Sequence, residues 1–158
     1  MPRLEVIHVE DGFCRGMLED LKQYASIPDD SRDGILQKLL KTAMLAVQEF
    51  SDQAILPCTI EVDVNDVRKG DTVRLYQGGT DVLAVVDQDG EPVEYRKEVG
   101  QIRVLQSCPG LVLTYTNTVN VAEAERLLPI CWELATAIYD GEDTKVQGSI
   151  LKKTYGMS

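Results

Sequence analysis

Residues 31–53 read SRDGILQKLLKTAMLAVQEFSDQ, and this stretch decides the fold. Its apolar side chains recur at intervals of three and four residues, the spacing of one face of an α-helix. These positions are Ile35, Leu36, Leu39, Leu40, Ala43, Met44, Val47 and Phe50. The intervening polar positions are Gln37, Lys38, Lys41, Gln48 and Glu49. We therefore predict a long amphipathic helix that buries its apolar face and exposes the polar one.

Two further helices are predicted, one on each side of this stretch in the sequence. A short helix over about 13–26 is indicated by apolar residues at helical spacing, and Pro28 ends it because the residue before a proline avoids the α conformation. Ser31 is then expected to cap the long helix. The last helix is predicted over about 121–140. Asn120 and Glu123 form its capping box, and Pro129 marks either a kink or a late start.

Residues 57–119, between the long helix and the last one, are predicted to form strands. The segment 59–64 alternates apolar and polar residues, as a half-buried strand does. The apolar run 82–86 is expected to be buried on both faces, and 87–90 to form a turn. Segments 102–105 and 111–116 are expected to pair with each other through the turn at 108–110. Further strands are expected at 72–76 and 92–95.

These elements predict an α+β fold in a single domain over residues 1–143. Short N-terminal, long and C-terminal helices form a helical bundle, and an antiparallel, hairpin-rich sheet is inserted between the last two. Residues 144–158 are expected to form an extended C-terminal tail that docks on a partner. The 158 residues are enough to bury a core without disulfides or metals.

The charge is strongly negative and unevenly distributed. The net charge is −10, from 16 basic and 26 acidic residues. All the acidic residues precede residue 144, whereas the tail carries Lys145, Lys152 and Lys153. An acidic body argues against a broad phosphate-binding face, although it suits a wall that DNA slides past. A basic tail favours docking onto an acidic partner, and a solvated, frayed terminus is the alternative.

No pattern in the sequence predicts an enzyme, a cofactor or a metal. His8 is the only histidine, so histidine-based triads and zinc sites have too few residues. Cys14, Cys58, Cys108 and Cys131 have no C-x-x-C spacing, and the glycines form no nucleotide-binding motif. The acidic pairs Asp29/Asp30 and Asp87/Asp89 are interpreted as a helix cap and a turn. A hydrolase with two catalytic carboxylates stays open as an alternative. The N-terminus has no apolar leader and the chain no apolar span, so a cytosolic protein without membrane contact is expected.

Five residues of the tail are candidate docking residues: Ile150, Leu151, Lys152, Lys153 and Tyr155. The apolar members have few neighbours in sequence with which to form a core. Such a tail could add a strand to the sheet edge of another subunit. The alternative is that the tail folds back on its own sheet.

The order of elements resembles the head–tail connector, or adaptor, family of tailed bacteriophages. The residues that carry this resemblance are the short helix 18–24, the acidic Asp29-Asp30, the long helix ending at 46–51, the strands 59–64, 73–76, 82–89 and 111–116, and the final helix 127–139. These motifs span about residues 17–141. They are helix caps and apolar patterns rather than chemical motifs.

The resemblance implies a structural virion protein at the interface between head and tail, made in the host cytoplasm. Members form a ring of commonly twelve copies beneath the portal, which extends the DNA channel without binding DNA specifically and offers a platform for tail or stopper proteins. The long helix would then contact the neighbouring subunit, and the tail would contact the portal protein. The candidate inter-subunit residues are Lys38, Lys41, Gln48 and Glu49. The alternatives are another virion ring, such as a stopper or tail-completion protein, or a small hydrolase or ligand-binding domain.

Overall fold

The computed structural model describes residues 2–10, 17–141 and 144–153. The described residues form two compact units. A strand unit combines the N-terminal residues up to Val9 with Pro57–Thr118, and a helical unit combines Glu10–Leu56 with the residues from Val119 onward. Helices and antiparallel strands are both present, so the predicted α+β class is confirmed. The proposed single domain over 1–143 stays a prediction.

The strand unit contains seven strands in two antiparallel sheets. They are β1 (Arg3–Val9), β2 (Cys58–Val67), β3 (Thr72–Arg74), β4 (Gly79–Asp87), β5 (Tyr95–Glu98), β6 (Gln101–Val104) and β7 (Cys108–Asn117). The larger sheet has the order β1-β2-β7-β4, and the smaller one has the order β3-β6-β5. The N-terminal segment thus pairs with β2, although it precedes the helical unit in sequence.

Alternation of apolar and polar residues sets the two faces of the larger sheet. On β2, Ile60 and Val62 are fully buried, whereas Glu61 and Asp63 are only half-buried. On the neighbouring β7, Leu111, Leu113 and Tyr115 alternate with less buried residues in the same way. One face therefore contributes to the core, and the other carries charge, as the period-two pattern predicts.

Two predictions about strand pairing are wrong. The run 82–86 is not buried on both faces, because β4 is an edge strand in which Leu83 is 59% exposed. Its register with β7 shifts at two places, between Gly79 and Asp81 and between Val82 and Ala84, so Leu83 lies at an irregularity. Segments 102–105 and 111–116 do not pair with each other either. Strand β6 lies between β3 and β5, and β7 lies between β2 and β4.

The predicted turn at residues 87–90 is present. Asp87 Oδ1 accepts hydrogen bonds from the backbone N–H groups of Asp89 and Glu91, at 2.9 and 3.0 Å. Gly90 has φ +81°, a conformation that glycine adopts without steric cost. The Asp87/Asp89 pair therefore builds a turn, as the sequence suggests.

The described part of the helical unit contains four helices: α1 (Leu18–Tyr24), α2 (Asp33–Ser51), α3 (Val121–Tyr139) and α4 (Thr144–Lys152). The predicted start of the first helix at residue 13 lies outside the described residues. Helices α2 and α3 pack against each other. Their buried residues include Leu40, Met44 and Val47 on α2 and Cys131 and Leu134 on α3. The periodic stretch that opened the sequence analysis therefore forms the core of this unit.

The predicted helix caps have different outcomes. Asn120 caps α3, because its side chain accepts a hydrogen bond from the Glu123 N–H at 3.2 Å. Ser31 does not cap α2. The N-cap residue is Arg32, and its side chain makes no capping hydrogen bond. Instead, the Ser31 hydroxyl donates to Asp29 Oδ1 at 2.7 Å in a local turn. Pro129 lies inside α3, so a late start of that helix is also wrong.

The prediction of an extended C-terminal tail is wrong for the described part. Residues 144–152 form α4, which packs against α3. Val146 and Ile150 are four residues apart, and Ile150 is only 5% exposed. This helical spacing lets one turn of α4 bury an apolar side chain, which an extended strand at the surface would leave in water.

Candidate assembly surfaces

The candidate inter-subunit residues on α2 do not lie on one exposed face. Lys38 and Glu49 are exposed, and Lys41 is half-buried. Gln48, by contrast, is fully buried. Its prediction as a contact to a neighbouring subunit is therefore wrong, because no partner can reach it without opening the helical unit.

Gln48 holds the chain where it leaves α2. Its Oε1 accepts hydrogen bonds from two backbone N–H groups, those of Ile55 at 2.8 Å and Leu56 at 2.9 Å. Ile55 and Leu56 are themselves fully buried. Buried N–H groups outside regular structure need such an acceptor, so Gln48 has a structural role. A signal for this was present in the sequence, since Gln48 follows Met44 by four residues and thus lies on the apolar face.

The candidate docking residues of the C-terminal segment also fall into different environments. Ile150 is buried and Leu151 is half-buried, whereas Lys152 and Lys153 are exposed. Lys153 Nζ lies 2.6 Å from Glu133 Oε1 on α3, and this ion pair fastens the end of α4. Tyr155 lies outside the described residues. The expectation that Ile150 lacks partners in its own chain is wrong, and Lys152 is the exposed basic residue that remains for a partner.

A groove of 310 Å³ runs between α3 and α4 and is closed at one side by Tyr24. Tyr24 and Val146 line it and are 50% and 39% exposed. The Tyr24 ring also packs at a tilt against Trp132, with the ring centroids 6.2 Å apart. The groove therefore presents apolar side chains at the surface, between the acidic Asp140 and the Lys153–Glu133 ion pair.

A buried lysine joins α1 to the start of α2, and the sequence analysis missed it. Lys22 is 4% exposed, its Nζ pairs with Asp30, and it lies 3.0 Å from Asp33 Oδ1. Hydrogen bonds to Asp30 and Asp33 raise the pKa of Lys22 above its ordinary value. Glu19 brings a third carboxylate within 4.8 Å of these two. Asp30 is therefore part of an ion-pair network with Lys22 and not of a helix cap, since no side chain makes a capping hydrogen bond at the start of α2.

The β5–β6 hairpin carries an ordered charge network on its outward face. Glu98 accepts hydrogen bonds from Arg96, Arg103 and Gln101 at 2.8, 2.9 and 2.7 Å. These donors, Arg103 first, lower the pKa of Glu98 to about 2 from its ordinary 4.5. The two-residue turn that follows exposes the whole Val99 side chain and places Gly100 at φ +72°.

The Glu98 network predicts a specific loss of stability in acid. A carboxylate with a lowered pKa in the folded state stabilises the fold fully above the ordinary pKa of 4.5, and this contribution is lost as the pH falls toward 2. We expect the difference in melting temperature between the wild type and Glu98→Gln to be largest near neutral pH and to shrink below pH 4.5. Thermal unfolding followed by circular dichroism at a series of pH values measures it. Glu94→Gln is the control, and equal pH profiles for the two variants would contradict the role of Glu98.

Among the described residues, neither the histidine nor a cysteine belongs to a group of three side chains that could hold a metal ion. His8 is exposed on the edge strand β1, opposite Thr59. Cys58, Cys108 and Cys131 are buried, and burial raises the pKa of Cys131 to about 12. A thiol with so high a pKa is a poor nucleophile at neutral pH. Cys14 lies outside the described residues. None of the described helices has the length and apolar character to cross a membrane.

No protein-family model matches this sequence, and no curated protein matches it either. Solved structures do match the fold. One is described as the neck of an empty gene transfer agent (GTA) particle computed with C6 symmetry, with a TM-score of 0.62, 17% identity and coverage of 87% of this chain and 84% of that one.

Two further structures give the same result. A chain in the virion of the native GTA particle has a TM-score of 0.61, 17% identity and coverage of 87% of this chain and 84% of that one. A chain in the neck of the native particle, computed with C12 symmetry, has a TM-score of 0.62 at 15% identity, with 96% and 94% coverage. At this identity the likeness establishes a shared fold, which includes nearly all of both chains.

Proposed function

We propose that this chain is a structural protein of the neck of a phage-like particle, where it forms a ring between the portal and the tail. The observation that carries the proposal is the likeness of the fold to chains in GTA particles over 84–94% of their length. The likeness therefore extends over the whole fold and is not confined to one motif. It also agrees with the connector resemblance of the sequence, which rests on different observations.

The charge of the molecule supports a passage for DNA rather than a binding site. A net charge of −10 repels phosphates, and a ring with an acidic lumen lets DNA slide without gripping it. Several of the described basic side chains are already paired with acids, among them Lys22, Arg103 and Arg126. We therefore propose that genomic DNA passes through the ring without specific binding.

The proposed contacts to partners follow from the exposed residues. Lys38 and Glu49 on α2 face solvent and are proposed to contact the neighbouring subunit of the ring. Lys152 at the end of α4 is proposed to contact the portal, together with the terminal residues that follow it. Tail or stopper proteins would bind the opposite rim.

The copy number is proposed to be twelve. Structures that share the fold come from necks computed with C12 and with C6 symmetry, so a sixfold ring is the second candidate. The hydrolase alternative is not favoured, because Lys22 already pairs with two of the three carboxylates in the described cluster, Asp30 and Asp33.

Protein mass spectrometry of purified, DNA-filled particles from the source culture tests the proposal. We expect this chain at a low, fixed ratio to the major capsid protein, with no enrichment in the soluble lysate. Imaging of the vertex then counts the copies and shows which ring of the neck they form, so that six copies would favour the sixfold candidate. Absence from intact particles, with abundance in the lysate, would overturn the proposed function.

A further inference from the structure

The outward face of the larger sheet of the strand unit is acidic. Its register places Glu5 on β1 directly opposite Glu61 on β2, and Arg3 opposite Asp63. The same face continues over Val112 and Thr114 on β7. Its side chains are short apart from the charged ones. The face therefore offers three carboxylates and one guanidinium on a flat surface.

The three carboxylates of this acidic face are not neutralised inside the chain. Within residues 2–10, 17–141 and 144–153, no ion pair or hydrogen bond engages the side chain of Glu5, Glu61 or Asp63. Like charges directly opposite each other on two strands destabilise a sheet. Glu5 and Glu61 thus form a pair that a cationic partner would relieve.

The outward face of the smaller sheet has the opposite charge. Its register aligns Thr72, Arg103 and Arg96 in one row and Arg74, Gln101 and Glu98 in the next. Ile102 and Val73 lie on the other face and are buried. Three arginines and a single glutamate therefore share this arginine face.

The arginine face is also held rigid. Glu98 binds both Arg96 and Arg103, and the Arg74 guanidinium lies over the Tyr76 ring, 5.3 Å from its centroid. Arg96 keeps most of its surface in solvent, since its side chain is 63% exposed. Guanidinium groups fixed in this way lose little side-chain entropy when they bind carboxylates, which favours a specific contact.

We propose that the arginine face of one copy docks on the acidic face of the next copy in the ring. The inference rests on the proposed ring and names the contact that builds it. Copies with a net charge of −10 repel each other, and a contact that brings opposite charges together offsets this repulsion. Because the two faces differ, the contact is heterologous, which is the kind of contact that builds a cyclic ring when its rotation closes.

Two charge reversals test the contact in the full-length protein. Arg96→Glu makes the arginine face less positive, and Glu61→Lys makes the acidic face less negative. Each is expected to weaken self-association roughly 100-fold, because it places like charges in the contact. Lys97→Glu lies on the other face of the same hairpin, and Asp89→Lys lies in the β4 turn, so these are the matched controls. Mass photometry and sedimentation velocity measure assembly, and melting temperatures check that each variant folds.

Mixing the two variants gives the sharpest result. An Arg96→Glu copy keeps its acidic face and has a neutral arginine face, whereas a Glu61→Lys copy keeps its positive arginine face and has a less negative sheet face. In alternating copies, the original contact therefore alternates with one that brings the introduced glutamate together with the introduced lysine. We expect assembly in the 1:1 mixture, and in a double variant that carries both changes, to recover to within about tenfold of the wild type. High salt should weaken assembly of the wild type.

The outcomes separate the contact from the proposed function. If the wild type forms rings and both charge-reversal variants form them equally well, the proposed contact is wrong and the proposed function is unaffected. Reversals that leave rings unchanged but abolish retention of DNA would show that the arginine face binds nucleic acid instead. A wild type that stays monomeric up to its solubility limit and is absent from particles would overturn both. Loss of assembly in the controls to the same extent would also overturn the contact.

Discussion

Replacement of Gln48 by methionine is expected to lower the free energy of unfolding by about 4 kcal/mol, which is large for a single polar side chain. Methionine has nearly the same volume and shape, so it leaves no cavity. It removes the one acceptor that serves the N–H groups of Ile55 and Leu56, at 2.8 and 2.9 Å. Both N–H groups are then buried without a partner, at a cost of roughly 1–3 kcal/mol each.

Equilibrium unfolding in urea, followed by circular dichroism, measures this effect. Glu49→Met is the matched control, because Glu49 is the next residue on α2 and is exposed. We expect the control to change the free energy of unfolding by less than about 0.5 kcal/mol. A similar, small effect of both variants would mean that water or another group replaces the amide, and the structural role of Gln48 would be wrong.

The same pair of variants separates folding from assembly. If α2 contacts a neighbouring subunit through its exposed residues, Glu49→Met can impair the ring without destabilising the chain. Gln48→Met must act through the fold, since its side chain is fully buried. A polar residue of an amphipathic helix is therefore not always a surface residue, and its burial decides whether its substitution tests folding or assembly.

The helices could be predicted from the sequence because their signals are local. The apolar positions of α2 and α3 follow the 3.6-residue period, and Asn120 lies three residues before the N–H that it caps. Their lengths and cores follow from such patterns alone. The C-terminal helix α4 was missed because it is short, and its one buried anchor, Ile150, depends on a surface supplied by α3.

Strand pairing and charge networks could not be predicted, because they join residues that are distant in sequence. Nothing in residues 108–117 shows that β7 lies between β2 and β4. Its partners on β2 lie about fifty residues earlier in the sequence. The Lys22 network likewise depends on how the chain turns between α1 and α2. The acidic and arginine faces become visible only through the register of the strands. Of the candidate assembly surfaces, the exposed residues Lys38, Glu49, Lys152 and Lys153 could be predicted from the sequence. The two charged sheet faces could not.

Gly79 to alanine is the second substitution with a large expected effect, about 3 kcal/mol of destabilisation. A Cβ atom at this position would lie 2.5 Å from Tyr115 Cδ2, even closer to Cε2, and 2.9 Å from Leu75 Cβ. Non-bonded carbon atoms need roughly 3.5–4.0 Å, so the tyrosine ring or the strand must shift.

The Tyr115 ring cannot shift cheaply, and this decides the size of the effect. Tyr115 is fully buried, and its hydroxyl accepts from the Tyr76 N–H at 2.8 Å and donates to the Tyr76 carbonyl at 3.1 Å. Movement of the ring would break both hydrogen bonds as well as the packing. In a Tyr115→Leu background, where the ring is absent, we expect Gly79→Ala to cost less than half as much.

Urea unfolding of the four proteins in this cycle measures the coupling between the two positions. Gly148→Ala is the control, since no atom lies within 4 Å of a Cβ built there and α4 gains helix propensity. We expect that control to be neutral or to stabilise the chain by about 0.5 kcal/mol. An equal cost of Gly79→Ala with and without the tyrosine ring would contradict the steric account. A lower cost without the ring would show that the short distance between Gly79 and the Tyr115 ring is what excludes a side chain at position 79.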